Sequence, residues 1–187
     1  MHKESDLFFD WYLRYLFTKK KAKQIKTKVK KELNKIYKKL YFKNNYFTHR
    51  DFHASNIMIS KKGFGVIDSQ DAIIGNPLYD VASLIDDVRI RIPNKTKEEL
   101  FKYYSRKSKF KKINLKNDFD ILSVQRNLKI LGIFVRLHKR DKKSNYLQFL
   151  PYTWKLIEMR LRNPIFYNLK ILIDGLISKQ KRKRKKF

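Results

Sequence analysis

His49-Arg50-Asp51-Phe52-His53-Ala54-Ser55-Asn56 is the stretch on which the reading of this chain turns. A carboxylate, Asp51, stands five positions before a carboxamide, Asn56. Short apolar runs flank them, Tyr46-Phe47-Thr48 before and Ile57-Met58-Ile59 after, which reads as two small strands bracketing a loop over 49–56. Lys61-Lys62-Gly63 is a turn signal, and Gly65-Val66-Ile67 begins a further run that ends at Asp68. Two strands joined by that turn bring Asn56 and Asp68 side by side. Amide and carboxylate oxygens are hard ligands, suited to a divalent cation such as Mg²⁺. Asp51 beside them is placed to orient a hydroxyl and accept its proton.

Outside this segment the apolar period is that of helices. Residues 5–17 read as one helix, with Ser5 or Asp6 as its cap. Ile25, Val29, Leu33, Ile36 and Leu40 form one apolar stripe on a second helix over 22–42, whose other face is mostly lysine. From Pro77 the periodicity predicts helices at 77–90, 96–107, about 117–139, 151–162 and 164–178, with Pro77, Pro151 and Pro164 near their starts. The basic run 179–187 is expected to fray. The fold class is therefore α+β and mainly helical, with a small β insert near 46–68 among about seven helices.

The chain carries 46 Lys+Arg against 17 Asp+Glu, a formal charge of +29, and no cysteine. Lacking cysteine, it has neither a disulfide scaffold nor a thiolate metal site, in keeping with a reducing cytoplasm. No apolar run is long enough to span a membrane, and the opening Met1 to Asp10 does not read as a signal peptide. The positive charge admits a nucleic-acid or polyanion binder as the alternative reading. The lysines, however, are spread over most of the chain rather than gathered into a stripe. Residues 51–87 break the trend with six aspartates against two lysines, Asp51, Asp68, Asp71, Asp80, Asp86 and Asp87 facing Lys61 and Lys62. Acids kept together in so basic a chain suggest cation binding and a negative hollow.

H-R-D-x-x-x-x-N is also the spacing of a kinase catalytic loop. Phe52 and His53 after the aspartate, and Asp68-Ser69-Gln70 in place of Asp-Phe-Gly, depart from protein kinases. A histidine two residues after the aspartate resembles the aminoglycoside phosphotransferases, choline kinases and related small-molecule kinases. HRDFHASNIM, GVIDSQDAIIGNPLYDVASLIDD and SVQRNLKILGIFVRLHKRDKKSNYLQFLP resemble the bacterial N-acetylmuramate/N-acetylglucosamine anomeric kinases of cell-wall recycling, as does the opening DLFFDWYLRYL. The similarity runs from about residue 4 to 170.

That resemblance implies a protein-kinase-like C-terminal lobe over residues 1–178, with the catalytic loop at 49–56 and a metal segment at 66–71. It implies ATP- and Mg²⁺-dependent phosphoryl transfer to an amino-sugar hydroxyl. By carry-over, Asp51 is the base, grouped with His49 and Arg50, while Asn56 and Asp68 hold magnesium. Gln70 and Asp71 face the substrate, and His53 is either a substrate or phosphate contact or a packed loop histidine. Arg126 and Arg136, about 80° apart around one predicted helix, are candidates for one side of the cleft, or surface arginines. Asp80 caps its helix or pairs with Arg50, and Asp86 and Asp87 read as surface or pairing residues. The first 48 residues read as two helices rather than a strand-rich lobe with a glycine-rich turn. An ATP-clamping N-terminal lobe is thus expected to be absent from this chain, or supplied by a separately encoded partner.

Overall fold

The computed structural model describes residues 2–61, 63–108 and 110–183. They form two compact units, one of residues 1–39 with 124–187 and the other of residues 40–123. As the sequence implies, the fold is mainly helical with small sheets.

In the first unit, α1 (His2–Leu7) widens into a π-helical stretch, Phe8–Leu13, and closes with the single turn α2 (Arg14–Leu16). One helix was expected over 5–17, and period alone cannot distinguish a π stretch from an α turn. Phe8, Phe9, Tyr12 and Leu13 are all buried there. Trp154 Nε1 donates to Tyr12 Oη at 2.6 Å, and the Tyr12 ring stacks on Phe8. Gly132 is required at its position: a Cβ there would lie 2.3 Å from the Leu7 carbonyl. α3 (Lys19–Tyr37) buries the expected stripe Ile25, Val29, Leu33 and Ile36. It ends earlier than its apolar pattern suggested, and Leu40 packs instead on the core of the second unit. α7 (Leu150–Arg160) and α8 (Tyr167–Leu176) complete the expected helices of this unit.

The basic run after residue 178 corrects an expectation. Lys179–Lys183 forms a further helix, α9, and Arg182 is buried rather than frayed. Its guanidinium donates to the Ile173 carbonyl at 2.9 Å and, through Nε, to the Ile177 carbonyl at 2.8 Å. It also pairs with Glu158 and Asp174 and lies over the Trp154 ring. A cation that satisfies the end carbonyls of a helix, with two carboxylates beside it, recovers its desolvation cost. Residues 184–187 lie outside those described.

In the second unit the β insert is two antiparallel ribbons. β1 (Tyr46–Thr48) pairs with β4 (Ile73–Gly75), and β2 (Ile57–Ser60) pairs with β3 (Gly63–Val66). β4 was not foreseen, because Ile73-Ile74-Gly75 is too short to announce itself. Gly75 permits the close approach to β1, since a Cβ would meet Thr48 Oγ1 at 2.7 Å. Leu78, Tyr79, Ala82 and Ile85 of α4 (Leu78–Ile85) pack with Leu115, Phe119 and Leu122 of α6 (Lys112–Asp141). α5 (Asn94–Lys107) adds Phe101 and Tyr104. α6 (Lys112–Asp141) contributes its residues through Ser123 to this unit and those from Val124 to the first. Among the described residues no helix is long and apolar enough to cross a membrane.

Candidate active site

The loop after β1 contains His49, Asp51 and Asn56, and buried polar side chains hold it and its flanks. Asp118 on α6 is wholly buried, yet it accepts from Tyr41 N at 2.9 Å, Phe42 N at 3.0 Å and Asn76 Nδ2 at 2.9 Å. Asn76 in turn accepts from Leu78 N, which sets the start of α4 just after β4. One carboxylate thus satisfies three donors, two on adjacent residues and one on Asn76, and burial without such partners would be costly.

α4 then presents Asp80 to the loop. Its Oδ2 accepts from His49 N at 2.6 Å and its Oδ1 from Arg50 N at 2.9 Å. Arg50 has a φ of 72°, a left-handed conformation that a residue with a Cβ adopts only when its surroundings compel it. Asp80 therefore has the structural role expected of it, but toward the loop backbone. Nη1 of Arg50 donates to the Asp71 carbonyl at 3.2 Å, tying the loop to the segment after β3.

His49 is buried, and its Nε2–H donates to the Ile67 carbonyl at 3.0 Å. Asn56 Nδ2 donates to the Asp51 carbonyl at 3.0 Å, which leaves the side-chain oxygen to face elsewhere. Ile67 N donates to the Asn56 carbonyl at 3.0 Å. That bond extends the β2–β3 register by one pair and sets Asn56 opposite Ile67, the residue before Asp68. Asp68 also has a positive φ, 71°, and its Oδ1 accepts from Gln70 Nε2 at 2.6 Å.

His49, Arg50, Asp51, His53, Asn56, Asp68, Gln70 and Asp71 are thus gathered at one end of the ribbons of the second unit. His53 and Asn56 are buried, while Asp68, Gln70 and Asp71 are exposed. Arg126 and Arg136 lie on the part of α6 that belongs to the first unit, and Arg126 is buried rather than a surface arginine.

The acidic cluster divides on inspection. Asp86 and Asp87 are not surface residues but buried. Asp86 pairs with buried Lys97 at 3.0 Å and accepts from Ser123 Oγ, so it serves packing, and Lys97 offsets its charge. Among the described residues, no three His, Asp or Glu side chains converge as a metal cluster. The aspartates of 51–87 are therefore not one cation site. Asn56 and Asp68 remain the hard-oxygen pair, and a pair leaves room for water and phosphate oxygens to complete an octahedral Mg²⁺ shell. Asp118, Asn76 and Lys97 are the residues that sequence reasoning missed; their partners lie up to 77 positions away and leave no local signal.

The family model described as the phosphotransferase enzyme family (APH) matches residues 5–113, which contain the loop at 49–56 together with Asp68, Gln70, Asp71 and Asp80. The chain belongs to the phosphotransferase enzyme family. Its relatives include the N-acetylmuramate/N-acetylglucosamine kinase of Pseudomonas aeruginosa, 31% identical over 185 residues. That match covers 94% of this chain and 54% of the relative. The protein of the same name from Pseudomonas putida is 34% identical over 136 residues, covering 68% of this chain and 40% of its own. A third, from Neisseria meningitidis serogroup B, is 28% identical over 158 residues, covering 81% of this chain and 47% of its own. The chain thus spans about half the length of the curated relatives it matches.

Proposed function

We propose that this chain carries the catalytic half of a kinase that transfers the γ-phosphoryl group of ATP to a hydroxyl of an N-acetylated amino sugar, with the anomeric hydroxyl as acceptor. The observation that supports this most is the pair of hydrogen bonds at Asn56. Its amide nitrogen donates to the Asp51 carbonyl and its backbone carbonyl accepts from Ile67 N, which ties the backbone of Asp51 to the residue before Asp68.

In this reading the Asp51 carboxylate receives the sugar hydroxyl as a hydrogen-bond donor and accepts its proton as the oxygen attacks. The Asn56 side-chain oxygen and the Asp68 carboxylate would hold Mg²⁺, which offsets charge on the phosphates. Gln70 keeps the Asp68 carboxylate oriented. His49 and Arg50 position the loop, through Ile67, Asp71 and Asp80. Within the second unit, His53, Gln70 and Asp71 are the substrate-contact candidates. The cytoplasm, where ATP is abundant, is the compartment for such a reaction.

Efficient transfer also needs groups that cover the nucleotide phosphates, and these belong to a further lobe, separately encoded or joined to this one. The apolar surfaces of the ribbons suit such a partner. Phe47, Ile59, Phe64 and Ile74 are between 63% and 80% exposed, more apolar surface than a small sheet ordinarily leaves to water. The test is phosphate transfer from ATP to N-acetylglucosamine or N-acetylmuramate, for residues 1–187 alone and joined to a nucleotide-clamping lobe, with Asp51→Asn as control. Little or no turnover is expected for the chain alone, and Asp51-dependent turnover for the joined form. A joined form whose turnover survives Asp51→Asn sinks the assignment.

A further inference from the structure

α3 and α8 pack along one another within the first unit, and a groove follows their seam. At one end, Lys28, Lys31 and Lys35 of α3 face Asn168, Ile171 and Leu172 of α8 across an open recess of about 370 Å³. At the other, Lys21, Gln24 and Ile25 of α3 meet Leu176 of α8 around a second recess of about 250 Å³, and Lys28 lines both. The order of these residues makes the two helices antiparallel. From Lys21 to Lys35 the groove runs about 21 Å along α3.

The two walls differ in chemistry. The α8 wall is uncharged. Asn168, Ile171, Leu172 and Gly175 stand at i, i+3, i+4 and i+7, one stripe of the helix. Ile171 is 55% exposed, and Leu172 and Leu176 are half-buried. Gly175 is exposed inside the helix, where glycine is disfavoured. A Cβ there would meet nothing within 4 Å, so packing inside the chain does not require the glycine. On an exposed stripe, glycine lets a second backbone come close.

The α3 wall is basic. Lys21, Lys28, Lys31 and Lys35 fall within about 80° of one another around the helix. Lys35 is paired with Glu32 at 2.7 Å. Lys21, Lys28 and Lys31 are exposed and make no ion pair among the described residues. On the other flank of α3, by contrast, Lys26 pairs with Asp10 and Lys30 with Asp6, each at 2.8 Å. The chain neutralises that flank itself and leaves three lysines on the groove flank to a partner.

We infer that this groove docks an acidic amphipathic helix of a partner protein. The partner's apolar stripe covers Ile171, Leu172 and Leu176, its backbone approaches α8 at Gly175, and carboxylates on its adjacent face pair with Lys21, Lys28 and Lys31. Nucleic acid would satisfy the lysines, but no aromatic ring lines the groove to stack a base, and phosphates leave the apolar wall uncovered. A planar anionic bilayer would likewise meet the lysines and leave the recesses unfilled. The inference uses neither ATP nor the loop at 49–56, so it stands or falls separately from the proposed reaction.

The probe is a fluorescein-labelled synthetic helix of about 20 residues, with leucines at i, i+3, i+4 and i+7 and glutamates beside them, titrated with the full chain at physiological salt and read by anisotropy. Saturable binding is expected, about tenfold tighter than for the same residues in scrambled order. Lys28→Glu with Lys31→Glu should weaken it about tenfold. Lys102→Glu with Arg106→Glu, the same charge change at exposed positions of α5 in the second unit, should leave it nearly unchanged. Gly175→Gln should also weaken binding while the unfolding midpoint holds or rises, because the new side chain enters open space and favours a helix more than glycine does. Absence of binding, a scrambled peptide bound as tightly, equal losses in the two charge reversals, or an unaffected Gly175→Gln variant would each overturn the assignment. So would single-stranded DNA or phosphatidylserine vesicles whose binding suffers more than the peptide's from the reversal at Lys28 and Lys31.

Discussion

Asp80 receives the backbone N–H of Arg50 at 2.9 Å while Arg50 holds a left-handed φ of 72°, so a carboxylate on α4 fixes the least favourable conformation in the loop. The same carboxylate takes His49 N–H at 2.6 Å. Hydrogen bonds to a charged group contribute about 1.5–3 kcal/mol each. Asp80→Ala should therefore lower stability by about 2–4 kcal/mol and release the His49 and Arg50 amides to hydrogen exchange. Urea unfolding and exchange measurements check both. An unchanged midpoint with both amides still protected would mean that other contacts hold the loop.

Asp51, Asn56 and Asp68 should separate chemistry from folding. In a form joined to a nucleotide-clamping lobe, Asp51→Asn should reduce kcat by about 10²–10⁴ through loss of the base. Asp68→Asn should raise the Mg²⁺ concentration needed for half-maximal rate. Asp68 is exposed and, among the described residues, its side chain bonds only to Gln70, so its substitution should leave the unfolding midpoint nearly unchanged. Turnover measured across a magnesium series distinguishes the two effects.

Lys97 should be indispensable for folding although it stands far from the loop in sequence. It is buried, and its ammonium reaches both Asp86 Oδ1 and the Ile85 carbonyl. Removing one partner of a buried pair leaves an uncompensated charge, at a cost of about 3–5 kcal/mol. Lys97→Met should show that loss in denaturant unfolding, and adding Asp86→Asn should recover part of it. A double variant no more stable than the single one would contradict this account.

Alkaline pH should destabilise the first unit. Burial pushes the Tyr12 phenol well above its ordinary value, against weaker opposition from Trp154 and Arg182. Burial does the same for Tyr37, whose hydroxyl lies 2.6 Å from Ser5 Oγ. A pKa raised in the folded state means stability that is complete below the unfolded tyrosine value, about 10, and is lost as pH rises toward the folded value. Unfolding temperature should therefore fall above about pH 10, and less steeply in Tyr12→Phe and Tyr37→Phe. Equal slopes in all three proteins would show that other groups govern the alkaline loss.

Local pattern by itself specified most of the helices and the hairpin that follows the loop. The stripe of Ile25, Val29, Leu33 and Ile36 specifies a helix because side chains at that spacing share one face, and all four are buried. The run from His49 to Asp68 specifies a loop and hairpin because short apolar runs bracket a glycine-bearing turn, and β2 and β3 do pair, with Ile67 N bonding the Asn56 carbonyl at their end. Only the tertiary structure decided what each isolated charge is for. Asp118, Asp80, Asp86 and Arg182 look in sequence like any other surface charge, yet each is satisfied by backbone or side-chain groups brought to it by folding. A buried charge is tolerated only where such partners converge, and for Asp118 those partners lie up to 77 positions away. No periodicity records that convergence, which is why the acids at 51–87 read together as cation-binding although Asp80 and Asp86 are held by structural partners.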